Sequence, residues 1–239
     1  MTQDALRVRG LSKSFQRPAV RGIDLSIAAG EFYGLLAPDA GSIEVYGVDA
    51  RANPLAAKQL IAWLPDEPML YDKLTPMEYL EFVAGLWRLD ARLAEHRAQE
   101  LLERLELWEQ RGERCEGFSR GMKQKAALAA ALIHDPRLLI LDEPLTGLDA
   151  AIARQVKDLL IERARGGCTI ILTTHILEVA ERIADRIGII QSGKLLAEGT
   201  LAELREKAGE RDGTLEDVFL ELPGELTPES APAAEAAPA

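Results

Sequence analysis

The run Leu138-Leu139-Ile140-Leu141-Asp142-Glu143-Pro144 is an apolar strand that ends in two adjacent carboxylates and a proline. In a parallel sheet, ligands bind beyond the carboxyl ends of the strands, so Asp142 and Glu143 emerge where a site is expected. A carboxylate there can hold Mg²⁺ through its waters, and its neighbour can polarise an attacking water. Read alone, the run also fits a strand end capped by solvated acids.

On both sides of this strand the hydrophobic pattern alternates between helix and strand. The spacing predicts a helix from Ser119 to Ile133, the strand Leu138 to Leu141 and a helix from Ala150 to Ala164. A strand Thr169 to Thr173, a helix Ile176 to Ala184 and a strand Ile187 to Gln191 follow. Such alternation implies a parallel sheet with crossover helices. Upstream, Thr75-Pro76-Met77-Glu78 is a capping box with Pro at the first helical position, and Tyr79, Leu80, Phe82, Val83 and Leu86 continue at helical spacing. A second helical face, with Leu93, Ala98, Leu101, Leu102 and Leu105, runs from Asp90 to Leu107, and the helical region ends near Glu116. The N-terminal part is rich in short β runs, Leu6 to Val8, Ile23 to Ile27, Phe32 to Leu36 and Ile43 to Tyr46, separated by turn residues.

Three further segments converge on the end of the apolar strand. In Phe118-Ser119-Arg120-Gly121-Met122-Lys123-Gln124 a Ser N-cap and a Gly open a helix, so backbone N–H groups and a hydroxyl face one place where an anion could sit. Thr146-Gly147-Leu148-Asp149 precedes the next helix. Thr174-His175 stands at the end of the Thr169 to Thr173 strand; a lone His is usually packed or solvated, but this one lies at the edge where the site is built.

With these segments in place, the sequence resembles the nucleotide-binding subunits of ABC transporters, from about Leu6 to Leu222. The resemblance implies an α/β fold of the P-loop NTPase-like kind: a parallel sheet core, an N-terminal antiparallel β region and an inserted helical subdomain over about residues 68–118. Leu138 to Asp142 looks like the Walker B strand, with Asp142 holding Mg²⁺ and Glu143 as the family's catalytic base. Phe118 to Met122 looks like the signature motif, usually L-S-G-G-Q, which brings Ser119, Arg120 and Gly121 to the γ-phosphate of ATP bound by the opposite subunit. Thr146 to Asp149 resembles the D-loop, which adds Asp149 to the nucleotide-binding set, and His175 resembles the switch histidine. Phe15 sits where the family stacks an aromatic on adenine; a strand-end core residue is the other reading. Leu64-Pro65-Asp66-Glu67-Pro68 occupies the Q-loop position, with Asp66 in place of the usual Gln and able to face Mg²⁺ or its waters.

The family's phosphate loop, G-x-x-x-x-G-K-S/T, cradles phosphates with backbone N–H groups and a lysine. It should follow Gly30-Glu31-Phe32-Tyr33-Gly34-Leu35-Leu36, but the chain passes directly to Ala37-Pro38-Asp39-Ala40-Gly41-Ser42, which resembles the segment after the first core helix. The loop and that helix are expected to be missing, on the order of 20 residues. Gly188-Ile189-Ile190-Gln191-Ser192-Gly193-Lys194-Leu195 has the glycines and the lysine, but Leu195 replaces the Mg²⁺-binding hydroxyl and Ser192-Gly193 reads as a hairpin turn.

Composition limits the function further. The chain has 239 residues with 28 Lys and Arg against 39 Asp and Glu, a formal charge of −11, which argues against a nucleic-acid partner. At 47% hydrophobic and 28% charged it suits a globular protein. No apolar run approaches the roughly 18 residues of a membrane span, so a cytoplasmic place is expected. Cys115 and Cys168 read as reduced thiols, and residues 223–239, of Pro, Ala and Glu, read as a disordered tail after a cassette of residues 1–222. The resemblance implies ATP and Mg²⁺ as ligands, a homo- or heterodimer of cassettes, and a separate membrane-spanning permease at the inner face of the cell membrane. Without the phosphate loop, three roles stand open: a hydrolysing motor, a non-hydrolysing subunit lending Ser119 and Gly121 to a partner's site, or an inactive product. A soluble factor of the same family is a weaker reading.

Overall fold

A computed structural model describes residues 4–14, 18–29, 40–67, 69–191, 193–209 and 213–221. Phe15, the run Phe32 to Leu36, the junction at Leu36 and Ala37, and the tail from residue 223 lie outside them.

Two sheets are built from neighbouring parts of the chain. Strands β1 (Asp4–Ser14), β2 (Pro18–Ala28), β3 (Ala40–Val45) and β4 (Val48–Asp49) form an antiparallel sheet in the order β2-β1-β3-β4. Its alternating residues Leu6, Val8, Leu11, Ile23, Leu25 and Ile27 are buried on one face, the period-two pattern of a half-solvated sheet. After α1 (Pro54–Gln59), strand β5 (Ile61–Leu64) joins β6 (Leu138–Asp142) and β7 (Thr169–Thr173) in a parallel sheet of order β5-β6-β7. The register sets Leu64 opposite Leu141 and Asp142 opposite Thr173. The chain therefore leaves all three strands at one edge.

The helices α2 (Pro76–Leu86) and α3 (Ala91–Arg104) follow β5, then a 3-10 turn (Cys115–Gly117) leads to α4 (Arg120–Leu132). The capping box forms as the sequence requires: Thr75 Oγ1 accepts from Glu78 N–H at 3.2 Å, and Glu78 Oε2 accepts from Thr75 N–H at 2.9 Å. Leu80, Ala84, Leu101, Leu102 and Leu128 share one buried cluster with Leu139 and Leu141, so these helices and the parallel sheet are packed as a unit. The two sheets are joined by Tyr46, whose hydroxyl donates to Arg137 O at 2.9 Å and lies 2.9 Å from Thr169 Oγ1. The Arg137 guanidinium covers the Tyr46 ring at 3.8 Å.

Downstream of β6 come α5 (Ala150–Arg165), β7 and α6 (Leu177–Ile183), then β8 (Ile187–Gln191), β9 (Lys194–Gly199), α7 (Leu201–Ala208) and α8 (Leu215–Glu221). One sequence expectation needs correction. Among the described residues β8 does not extend the parallel sheet but pairs antiparallel with β9. The hairpin expected after Gln191 is borne out: the chain reverses at Gly193, whose φ of 76° suits glycine. The same hairpin removes the run from Gly188 to Leu195 as a phosphate loop, because such a loop must open a helix. Strand β5 and helices α1, α7 and α8 are additions that the pattern of the sequence did not reveal. Both cysteines are free thiols, Cys115 buried and Cys168 half-buried. No helix among the described residues is long and apolar enough to cross a membrane.

Candidate nucleotide site

The shared strand edge carries a carboxylate corner. Thr173, opposite Asp142 in register, donates its hydroxyl to Asp142 Oδ1. Glu143 turns out of β6 with φ of 46°, a left-handed conformation that costs a residue with a Cβ about 1–2 kcal/mol. Its N–H donates to Thr173 O at 3.1 Å. That turn points the carboxylate back across the strand ends, where Oε1 accepts from the His175 N–H at 2.8 Å and lies 2.8 Å from His175 Nδ1. Oε2 accepts from Thr146 Oγ1 at 3.0 Å.

The Glu143 side chain is 20% exposed and that of His175 71% exposed. An ionised Glu143 fixes a proton on His175 Nδ1 and leaves Nε2 turned away from the carboxylate, an acceptor in the neutral ring and a donor in the charged one. The corner thus offers a fixed carboxylate to an attacking water and an exposed imidazole edge to an anion. Among the described residues no group of three or more His, Cys, Asp or Glu side chains is placed to hold a metal by itself. Asp142 keeps one oxygen beyond its bond to Thr173, which fits Mg²⁺ held by a single carboxylate together with phosphate oxygens and water.

A second group surrounds the first turns of α4 and α5. Ser119 caps α4, its Oγ accepting from Met122 N–H at 3.3 Å. Gly121 leaves room for α5: a Cβ there would stand 2.5 Å from Ile152 Cδ1. Asp149 caps α5, Oδ1 accepting from Ala151 N–H at 3.0 Å and Ile152 N–H at 2.9 Å. Arg120 extends to Asp66 in the loop after β5, Nη2 to Oδ1 at 3.5 Å, with both side chains about half exposed. Its guanidinium also lies against Gly147, where a Cβ would be 2.9 Å from Nη1.

Of the residues singled out in the sequence, Asp142, Glu143 and His175 meet at the strand edge. Ser119, Arg120, Gly121, Asp149 and Asp66 gather around the two helix starts, with Asp66 engaged by Arg120. Thr173 and Gln124 were not foreseen. Gln124 is buried in α4 and donates Nε2 to Pro144 O at 3.2 Å, tying the two groups together. A hydroxyl opposite an acid on the neighbouring strand becomes visible only with the register, and a glutamine inside an apolar helix could have been read as a buried linker.

On the far side of β5 a cavity of about 630 Å³ is lined by Trp63, Met69, Tyr79, Val83, Trp87 and His134 among others. Its floor holds a stacked pair, the Trp87 and His134 rings 3.9 Å apart, with His134 Nε2 3.2 Å from Ile61 O. Met69 and Trp63 stand 91% and 63% exposed beside it.

The family model described as ABC transporter matches residues 26–146. The chain is 36% identical over 203 residues to the ABC-type transporter ATP-binding protein EcsA of Bacillus subtilis, covering 85% of this chain and 82% of that protein. It is 37% identical over 245 residues to the daunorubicin resistance ATP-binding protein DrrA3 of Streptomyces coeruleorubidus, covering 95% and 77% respectively. A solved ATP-binding subunit of an ABC transporter superposes with a TM-score of 0.84 at 29% identity, covering 91% of this chain and 99% of that one. With the carboxylate corner, the helix starts and the fold in agreement, the chain belongs to the ATP-binding subunits of ABC transporters.

Proposed function

We propose that this chain is the ATP-binding subunit of an exporter-type ABC transporter that acts in a pair of cassettes on a separate membrane permease. The observation that carries the reading is Glu143, fixed by His175 and Thr146 at the end of β6. In that geometry Glu143 takes a proton from the attacking water, His175 faces the γ-phosphate, and Asp142 would hold Mg²⁺, which neutralises charge on the phosphates. Ser119, Arg120 and Gly121 serve the nucleotide of the opposite cassette, with Asp149 holding the start of α5 beside them. Phe15 remains the candidate for stacking on adenine, and Asp66 a second candidate for Mg²⁺ or its waters. Two relatives bear names of resistance functions consistent with this: the protein from S. coeruleorubidus above, and the linearmycin resistance ATP-binding protein LnrL of B. subtilis, 34% identical.

The groove beside β5 suits a short amphipathic helix of the permease. Trp63, Met69 and Trp87 supply apolar contacts, with Lys58 and Glu67 as charged neighbours. The chain then sits at the inner face of the cell membrane, held by its partner.

We further propose that the chain does not hydrolyse ATP efficiently by itself, because its sequence holds no acceptable G-x-x-x-x-G-K-S/T loop. The chain then works as the partner that lends Ser119 and Gly121 to another subunit's ATP, or it is a shortened, inactive product.

A thermal unfolding scan with and without Mg-ATP tests the reading. Saturation at 100 times Kd stabilises by about 2.7 kcal/mol and raises the midpoint by roughly 5–10 °C. A shift supports a nucleotide site in the chain alone, and a cooperative transition that stays put supports the partner-lending role. Absence of a cooperative transition leaves only the inactive product.

A further inference from the structure

We infer that Arg120 is a positioning residue that holds the Thr146–Asp149 loop against the catalytic carboxylate, and that Asp66 holds Arg120. Three contacts make the chain of support. Asp66 Oδ1 meets Arg120 Nη2 at 3.5 Å. The guanidinium lies against Gly147, its Nη1, Cζ and Nε within 2.9–3.4 Å of where a Cβ would stand. Thr146, the neighbour of Gly147, donates to Glu143 Oε2 at 3.0 Å.

Each link accounts for a residue type. Gly147 has φ of 72°, so the loop both turns there and presents a bare Cα for a planar cation to cover. Arginine supplies that plane, which lysine lacks. Where the signature motif carries its usual glycine no side chain could reach the loop. Asp66, where the Q-loop usually has a neutral glutamine, supplies the opposite charge. The two departures from the family pattern are thus one device, 54 residues apart in sequence and in contact in space.

Position gives the device its direction. Asp66 sits in the loop that leaves β5 with Pro65 and Glu67, both of which line the groove assigned to the permease. Motion of that loop on docking would pull on Arg120 and so on Thr146. A half-exposed pair of this kind is weak, which lets it exchange partners at small cost. The inference rests on the proposed function for its consequence at Glu143 and for the permease groove; the contacts stand without it.

Hydrogen exchange followed by mass spectrometry on the full chain, without nucleotide, tests the device. In Arg120→Gln the amides of Thr146 and Leu148 are expected to exchange about two- to fivefold faster, with α2 and α3 unchanged. Asp66→Asn should do the same to a smaller degree, and the double variant should match Arg120→Gln alone. Arg120→Lys should recover part of the protection, since it keeps the charge but not the plane. Unchanged exchange at Thr146 and Leu148 in Arg120→Gln, or effects that simply add in the double variant, would overturn the inference. Because the readout needs no ATP, a failure of the transporter reading would leave these outcomes intact.

Discussion

The carboxylate corner and the Asp66–Arg120 corner lie in the same site but are held by different physics. Glu143 is four-fifths covered, sits in a left-handed turn, and receives hydrogen bonds from a backbone N–H, an imidazole and a hydroxyl. Its surroundings over-determine its place, which is how a costly backbone conformation persists. Arg120 and Asp66 are each about half exposed and joined by one contact at 3.5 Å. Such a pair is worth about 0–1 kcal/mol and yields to salt. The first corner is held rigidly by several partners; the second is held loosely by one.

The sharpest way to break that contrast is through the scaffold of the first corner. Leu141, fully buried in β6, should cost about 2–5 kcal/mol when changed to Ala, measured by urea unfolding, and Glu143 should lose its fixed position with it. Thr173→Val removes the hydroxyl that Asp142 accepts while keeping the strand's shape. It should cost about 1–2 kcal/mol in the same measurement. A loss below a few tenths would show the corner to be no better anchored than the surface pair.

An intermediate effect is expected from the link between α2 and β5. Burial lowers the pKa of His134 from its ordinary value, and its Nδ1 is buried without a partner. The folded chain therefore binds this proton less readily than the unfolded one. The stability that His134 contributes is fully present above its unfolded pKa of about 6.5 and is lost as pH falls below it, at no more than about 1.4 kcal/mol per pH unit. Urea midpoints compared at pH 7.5 and 5.5 should show a fall that shrinks in His134→Phe, which preserves the stack on Trp87. The smallest effect belongs to the second corner: Asp66→Asn should change global stability by less than about 1 kcal/mol, and 0.5 M salt should weaken the pair in wild type as the substitution does.

The same contrast explains what could be read from the sequence. Strands β6 and β7 and helix α2 announce themselves through local chemistry: unbroken apolar runs, a capping box, and Pro at the first helical position. Their ends locate Asp142, Glu143 and His175 without any knowledge of contacts. Strand β5 is only four residues long, its Trp63 is mostly exposed, and no turn residue marks its start, so periodicity has nothing to work on. Strand β8 looks like one more member of an alternating series, but the Ser192-Gly193 turn reads in the sequence as a hairpin, and β8 pairs with β9 as that turn requires. The meeting of Asp66 with Arg120, and of Thr173 with Asp142, depends on register and on helix packing. Those are tertiary facts, and no window of sequence contains both residues.

We propose that the chain, which gathers Asp142, Glu143 and His175 at one strand edge, hydrolyses ATP poorly by itself because its sequence holds no G-x-x-x-x-G-K-S/T loop. ATP turnover by the purified chain, beside its Glu143→Gln variant, tests this most directly. Phosphate release by the wild-type chain is expected not to exceed that of the variant. Turnover by the wild-type chain that disappears in Glu143→Gln would contradict it.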